Sequence, residues 1–303
     1  YHCDKCTYFT PIQTINNIYG EEHTIFNLNI QQEHNNGMSW GAGFCNRLNS
    51  GTIENLTFDG AYIKCTDIQS LRNNTQSGGN AYAGTLASRT NESASITIKN
   101  VHANNGYVTA VSKLGGMIGY VHGTLNASDC SVNNYTIENN KINVINTYSK
   151  SVTISKLGTF TVSAEFYTEG ESGGFIGFLT SGNSVISDCH VNNAITKCYG
   201  QENQTKYITG KLLGFIPMSY PYNIAGRHIN AFIGDIRTVN QETIIITDCT
   251  ATYTSPEGYD YNINSKGKGE IIGCCYIVGV AGVVGDKKGK VTVDGESMGF
   301  VGD

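Results

Sequence analysis

Two stretches of the chain, GGFIGFL at Gly173–Leu179 and GGMIGYV at Gly115–Val121, are near copies of each other and decide the fold. Each is followed by a polar turn and a second strand-like stretch, SDCHVNN at Ser187–Asn193 and SDCSVNN at Ser128–Asn134. Self-similarity of this kind is typical of repeat architectures, in which one unit cannot bury its apolar face alone. The sequence therefore predicts stacked repeats.

Further copies occur on both sides of these two. A third reads AFIG at Ala231–Gly234 and ITDC at Ile246–Cys249, and weaker copies contain GAGF, AYAG and GVVG followed by alternating strands. The glycines that we take as anchors of the six copies are unevenly spaced, which indicates loop insertions: Gly43, Gly84, Gly119, Gly177, Gly234 and Gly285.

The unit predicts an all-β fold. A short alternating strand buries one face, and stacking successive coils at about 4.8 Å would satisfy the backbone hydrogen bonds and bury a continuous apolar column. The Asn pairs Asn133-Asn134 and Asn192-Asn193 suit left-handed turns. We predict a single parallel β-helix with loop insertions over residues 1–303, right-handed by the general preference of crossover connections. Residues 1–30 would form a lead-in and residues 31–303 the coils.

Composition excludes several functions. Only 15% of the residues are charged, the net charge is −5, and the pI is about 5.8, so phosphate contacts to nucleic acid are not expected. No run of 18 apolar residues is present, so we expect no membrane span. The chain starts at Tyr1 without Met, which is typical of a mature form after removal of a targeting segment.

The 10 cysteines indicate an oxidising compartment and an extracellular or cell-surface location. Cys130, Cys189 and Cys249 share one repeat position, and in other copies Leu56 and Val101 occupy it, so these three are expected to be buried thiols. A Cys65–Cys198 bridge requires their coils to be neighbours. The disulfide candidates are Cys3, Cys6, Cys65, Cys198, Cys274 and Cys275.

Six N-glycosylation triplets are compatible with a secreted glycoprotein, although a chain this rich in Asn, Ser and Thr would contain about that many by chance. The acceptor candidates are Asn55, Asn73, Asn91, Asn126, Asn134 and Asn203.

These residues together resemble proteins with GLUG-motif repeats, which have a Gly-Leu-hydrophobic-Gly strand followed by a strand ending in an Asn-Cys-like pair. The stretch Ile18–Ile30, with His23-Thr24-Ile25, is similar to the lead-in of such solenoids. Here Phe, Met or Val replaces the usual Leu, and Asp precedes Cys. The resemblance implies a β-helix on secreted or surface proteins, without catalytic residues.

No constellation in the sequence predicts catalysis, a cofactor or a metal. Cys3-Asp4-Lys5-Cys6 lacks the second ligand pair that zinc needs, and a disulfide that ties down the N-terminus explains it better. His190 follows Cys189 and should face solvent. The acidic residues Glu165, Glu169 and Glu171 lie in a Gly/Ser-rich stretch, where we expect a solvated insertion.

Two functions remain open. The first is a non-enzymatic structural or adhesive surface protein that self-associates through its solenoid ends, since the chain ends inside a repeat at Gly299–Asp303 without a capping helix. Such a chain would be a piece of a longer protein or would dock on another subunit, and its partner could be a glycan or a surface protein. The second is a polysaccharide-binding or polysaccharide-cleaving β-helix, with acids and loop tyrosines on one groove. The tyrosines are Tyr220, Tyr222, Tyr253, Tyr259 and Tyr261.

Overall fold

The structure is a computed structural model that describes residues 8–34, 41–67, 81–110, 112–139, 145–154, 158–167, 171–180, 182–197, 204–212, 216–224, 227–230, 232–237, 243–253, 274–278 and 290–293. All regular structure within these ranges is β-strand. None of the described residues belongs to a helix with the length and apolarity that crossing a membrane requires.

Twenty-three of the strands group into seven successive layers along the chain. They are, in layer 1, β1 (Ile12–Ile15), β2 (Ile18–Phe26) and β3 (Asn29–His34); in layer 2, β4 (Gly41–Ala42), β5 (Cys45–Leu48), β6 (Gly51–Asp59) and β7 (Tyr62–Asp67); in layer 3, β8 (Tyr82–Ala83), β9 (Ala87–Thr90), β10 (Ala94–Asn104) and β11 (Tyr107–Ala110); in layer 4, β12 (Lys113–Gly115), β13 (Ile118–Asn133) and β14 (Thr136–Asn139); in layer 5, β17 (Glu171–Gly173), β18 (Ile176–Thr180) and β19 (Ser184–Lys197); in layer 6, β22 (Arg227–Asn230), β23 (Ile233–Arg237), β24 (Thr243–Thr247) and β25 (Thr250–Tyr253); and in layer 7, β26 (Cys274–Val278) and β27 (Lys290–Val293).

The remaining four strands form two antiparallel hairpins that interrupt the layers. They are β15 (Ile145–Ile154) with β16 (Gly158–Tyr167), and β20 (Gln204–Leu212) with β21 (Ile216–Ile224). The first hairpin lies between layers 4 and 5, and the second lies between layers 5 and 6. These are the insertions that the uneven glycine spacing predicted.

Every pairing between layers is parallel, and four series of strands run through the stack. The short-strand series is β4, β8, β12, β17, β22 and β26; the second series is β1, β5, β9, the start of β13, β18 and β23. The third series contains β2, β6 and β10, and the fourth contains β3, β7 and β11. The prediction of an all-β fold with stacked parallel strands is confirmed at this level. The segment around Ile18–Ile30 is itself part of the stack, since β1, β2 and β3 pair with β5, β6 and β7 in three of the four series.

The predicted line of anchor glycines is present in three layers. Ile118 pairs with Ile176 and Ile176 with Ile233, so the next residues, Gly119, Gly177 and Gly234, stand in one row of the second series. A methyl group on Gly177 would lie 2.5 Å from the carbonyl oxygen of Gly119 and 2.5 Å from the amide nitrogen of Leu114. The short strand thus folds back against the second series so closely that only glycine fits between the two backbones.

The assignment of Gly43 and Gly84 to that row is wrong. Ala42 pairs with Ala83, and Ala83 pairs with Leu114, so these two glycines align with Gly115 at the end of the short-strand series. The row of Gly119 contains Ser88 and Asn46 in the earlier layers. The sequence pattern equates the last glycine of G-A-G-F and of A-Y-A-G with Gly119, the last glycine of G-G-M-I-G. The strand pairing instead aligns both with Gly115, the first glycine of that stretch. Gly285 lies outside the described residues.

Two rows of left-handed residues turn the chain at fixed corners. Asn134 and Asn193 have φ of 55° and 54°, as predicted from the Asn pairs, and their side-chain amides bond in sequence, with Asn193 donating to Asn134 and Asn134 to Asn105. The second row precedes the cysteine position and has φ between 51° and 56°: Asn55, Asn100, Asp129, Asp188 and Asp248. Asn and Asp tolerate this conformation better than other side chains, which explains why both corners use them.

The prediction that the three cysteines at one repeat position are buried thiols is confirmed, and they stand one above another in a column. Cys130 pairs with Cys189, and Cys249 follows because His190 pairs with Thr250; all three thiols are buried and free. Each thiol donates to the carbonyl oxygen two residues earlier at 3.2 Å, across the left-handed Asp. Hydrogen bonding with the thiols on either side, together with burial, raises the pKa of the Cys189 thiol.

A stacked pair of tyrosines, Tyr62 exposed and Tyr107 half-buried, shows where stability should depend on pH. Tyr107 stacks on Tyr62 and donates a 3.1 Å hydrogen bond to Glu138, and burial followed by the Glu138 charge raises its pKa to about 12. An unfolded tyrosine titrates near pH 10, so the folded chain holds this proton more tightly. Its contribution to stability is therefore complete below about pH 10 and is lost as the pH rises towards 12.

We expect the Tyr107→Phe variant to lose less of its stability through this window than the wild type. Urea unfolding followed by circular dichroism at pH 8 to 12 measures the difference, because the other titrating groups are common to both proteins. If the free energy of unfolding of the two proteins falls in parallel from pH 8 to 12, Tyr107 is not the source of the pH dependence.

Candidate ligand-binding groove

The fold-back of the short strands creates a groove on the outside of the stack. One side of the groove is a row of residues in the second series, in which Thr14 pairs with Arg47, Arg47 with Arg89, and Arg89 with Tyr120. The other side is the outward row of the short strands, where Gly41 pairs with Tyr82 and Tyr82 with Lys113. Strand pairing, and not a flexible loop, fixes the position of each of these residues.

Two cavities that share Arg47 and Arg89 make up the groove. The first, of about 220 Å³, lies beside Gly41 and Ser88, and the second, of about 580 Å³, lies beside Tyr82 and Tyr120. The full lining is Gln13, Thr14, Gly41, Asn46, Arg47, Tyr82, Ser88, Arg89, Thr90, Asn91, Glu92, Tyr120 and His122.

The two arginines give the groove a concentrated positive charge in an acidic chain. They lie side by side on adjacent strands, Arg47 exposed and Arg89 half-buried. Burial, and after it the neighbouring charge of Arg47, lowers the pKa of Arg89, so each guanidinium is electrostatically unfavourable for the other. Over the ranges that the structure describes, neither arginine forms an ion pair with a carboxylate.

A buried acceptor lies beside these donors. Asn46 is 8% exposed; its side-chain amide donates to Gln13 Oε1 at 3.1 Å, while its Oδ1 has no hydrogen-bond partner among the described residues. Ser88 donates to the carbonyl of Asn46 at 2.5 Å and so holds the backbone in place. A buried acceptor left unpaired costs about 1–3 kcal/mol, which a ligand that donates a hydrogen bond would recover.

Aromatic rings form the wall beside the arginines. Tyr120 stacks on His122 with centroids 5.8 Å apart and an interplanar angle of 16°, and it meets the edge of Tyr82 at 5.3 Å. Thr90 fixes His122, since its hydroxyl accepts from the His122 amide at 2.8 Å and donates to the His122 carbonyl at 2.9 Å. The wall is therefore held by hydrogen bonds between two layers.

An ion pair continues the row of the short strands that contains Tyr82. Lys113 donates to Glu171 at 2.9 Å, and its ammonium lies 4.6 Å from the ring centre of Phe178. Glu171 is only 1% exposed, so the expectation of a solvated acidic insertion is wrong for this residue. The reason is that Glu171 begins β17 and pairs beside Lys113 in the short-strand series. Glu165 lies on β16, and Glu169 is outside the described residues.

The structure separates the other predicted site residues. Cys65 is buried on β7, which pairs with β11; β11 pairs with β14, and β14 with the end of β19. A Cys65–Cys198 bridge stays a prediction, since Cys198 lies outside the described residues. Cys45 is a further buried free thiol. Cys274 and Cys275 lie on β26, while Cys3, Cys6 and Cys198 themselves are outside the described residues.

The glycosylation candidates differ in their surroundings. Asn126 is exposed on β13, whereas Asn134, also exposed, takes part in the corner row of amides. Asn55 accepts from Asn100, and Asn91 donates to Asn49. Asn73 and Asn203 lie outside the described residues.

The histidine and tyrosine predictions have different outcomes. His190 points outward, as expected, and bonds to Asp188 and Thr250. Tyr220 and Tyr222 lie on β21 in the second hairpin, and Tyr253 ends β25. Tyr259 and Tyr261 are outside the described residues.

The groove contains residues that the sequence did not single out, namely Arg47, Arg89 and Asn46. One signal could have indicated the arginines, because Cys45-Asn46-Arg47-Leu48 and Ala87-Ser88-Arg89-Thr90 place a basic residue at the same repeat position. Within the described residues, no group of three or more His, Cys, Asp or Glu side chains is arranged to hold a metal ion. Comparison with protein-family models, curated proteins and solved structures yields no match to this chain.

Proposed function

We propose that this chain is a parallel β-helix of GLUG-like repeats that serves outside the cell as a structural or adhesive scaffold and assembles head to tail. The resemblance of its repeats to GLUG-motif proteins supports the family and the location. The parallel register that continues from layer to layer supports the β-helix, since each layer buries the apolar face of the next.

The exposed apolar surface of layer 1 is the main support for the assembly proposal. Five of the seven large hydrophobic side chains that are exposed among the described residues belong to the first layer or the residues just before it: Tyr8, Phe9, Ile12, Tyr19 and Phe26. Among the described strands, β1, β2 and β3 pair only with β5, β6 and β7 of layer 2. An open strand edge beside apolar side chains favours addition of another layer, and a second copy supplies one.

Sedimentation velocity over a range of protein concentrations tests this proposal. We expect the wild type to form larger species as the concentration rises and the double variant Tyr19→Lys/Phe26→Lys to stay monomeric, because two charges would be buried at the contact. Val185→Lys is the matched control, since Val185 is 41% exposed on the side of layer 5. A wild type that is monomeric at every concentration, or a Val185→Lys variant that loses assembly equally, would overturn the head-to-tail contact.

The groove favours a second candidate function, which is polysaccharide binding. Its arginines, tyrosines and unpaired amide oxygen are suited to recognition. A cleaving role through the acidic stretch receives less support, because the Glu171 carboxylate is buried against Lys113 and a substrate could not reach it.

A further inference from the structure

We propose that the groove binds an acidic glycan, with a carboxylate of the sugar chain held between Arg47 and Arg89. This proposal rests on the adhesive function above and gives that function a ligand class. Four features of the groove favour such a ligand: its charge, its unpaired acceptor, its aromatic wall and its length.

The positive charge of the groove indicates a negatively charged ligand. Two guanidiniums on adjacent strands lack an ion-pair partner in the described part of the chain, and the nearby Glu92 acts on Arg89 only as a weaker influence than burial or Arg47. A carboxylate placed between them would accept hydrogen bonds from both and remove their mutual repulsion. The partner that fits is therefore an anion.

The unpaired acceptor narrows the class of anion. Asn46 lines the same cavity as both arginines, and its buried Oδ1 has no hydrogen-bond partner among the described residues. A sulfate ion or an isolated carboxylate offers only acceptors, whereas an acidic sugar carries several hydroxyl donors next to its carboxylate. The groove thus presents donors and an acceptor together, which is the complement of an acidic sugar.

The wall and the length indicate a chain of sugars. Tyr120 and His122 line the larger cavity as a pair of stacked rings, so they give it an apolar wall for the C–H groups of a sugar and polar atoms for its hydroxyls. From Thr14 through Arg47 and Arg89 to Tyr120 the groove crosses three strand spacings, about 14 Å at 4.8 Å per strand. This length accommodates several linked units along the stack.

Isothermal titration calorimetry with an oligogalacturonate tests the proposal, with the fully methyl-esterified form of the same oligomer as the control ligand. We expect the wild type to bind the acid form with an affinity that falls as salt is added, and to bind the ester at least tenfold more weakly. Arg47→Gln and Arg89→Gln should each weaken binding about tenfold, and Asn46→Ala by a smaller factor.

Lys99→Gln is the matched control, since Lys99 is exposed on β10, outside the groove lining, and the change removes the same charge. Thermal unfolding of each variant establishes that it is folded. The proposal is overturned if the oligogalacturonate does not bind, if the ester binds equally well, or if Lys99→Gln weakens binding as much as the groove variants. If a heparin-derived sulfated oligosaccharide binds more strongly than the oligogalacturonate, the groove does not select a carboxylate. If polyglutamate binds as strongly as the oligogalacturonate, the groove does not select a glycan.

The same variants separate this proposal from the scaffold proposal. Arg47→Gln should leave the concentration dependence in sedimentation velocity unchanged, and Tyr19→Lys/Phe26→Lys should leave oligogalacturonate binding unchanged. A failure of glycan binding with intact assembly refutes only the groove assignment, while a failure of assembly with intact binding refutes only the head-to-tail contact.

Discussion

Gly177→Ala is expected to lower the free energy of unfolding by about 3 kcal/mol or more, because the added methyl group has only backbone around it. The new carbon would lie 2.5 Å from Gly119 O, 2.5 Å from Leu114 N and 2.6 Å from Leu114 O. Backbone atoms held in two parallel pairings cannot turn aside as the end of a side chain can. Relief would require β12 to move away from the second series, which would also disturb the groove.

Urea unfolding followed by circular dichroism measures this effect, and Ser88→Ala is the matched control. Ser88 occupies the same row in layer 3 and already carries a Cβ, so its replacement removes only the hydroxyl that donates to Asn46. We expect that change to cost about 1 kcal/mol. A Gly177→Ala variant as stable as Ser88→Ala would show that the short strand does not pack against the second series as described.

The parts of the fold that could be predicted are those governed by residues close together in sequence. The alternation in Ser128–Asn134 and its copy specifies which side chains face inward, and so it places Cys130, Cys189 and Cys249 in one column. The Asn pairs specify the left-handed corners, because the conformational preference of Asn is a local property. These predictions needed only the assumption that similar stretches stack.

The alignment of the weaker copies could not be predicted in the same way. Between the short strand and the second series, layer 2 has one residue fewer than layer 3, since Ala42 pairs with Ala83 while Cys45 pairs with Ala87. A match by glycine alone cannot reveal a one-residue difference inside a turn. Only the pairing on both sides of the turn places Gly43 and Gly84 in the row of Gly115.

The groove was missed because it depends on how two strand series face each other. Arg47 and Arg89 are far apart in sequence, and each belongs to a weak copy, so neither forms a recognisable motif. Glu171 was misjudged for the same reason, because its partner Lys113 is 58 residues away in sequence and becomes its neighbour only through β12 and β17. Charges paired across layers are not visible in the local composition.

The Lys113–Glu171 pair leads to the second large expected effect, a loss of about 3 kcal/mol in Lys113→Met. Methionine keeps much of the apolar stem against Tyr120 and Phe178 but removes the ammonium that bonds Glu171 at 2.9 Å. The carboxylate stays 1% exposed, so it loses the Lys113 ammonium without regaining water. Most of the cost is therefore the desolvation of a charge, not the loss of packing.

The double variant Lys113→Met/Glu171→Gln distinguishes these two contributions. Removing both charges should recover most of the stability lost in Lys113→Met, because no buried carboxylate then remains without its ammonium. Asp188→Asn is the matched control for a surface pair, since Asp188 and His190 are 65% and 38% exposed, and we expect it to change stability by less than about 1 kcal/mol. If the double variant is no more stable than Lys113→Met in urea unfolding, the lysine contributes through its contacts with the rings and not through the charge it shares with Glu171.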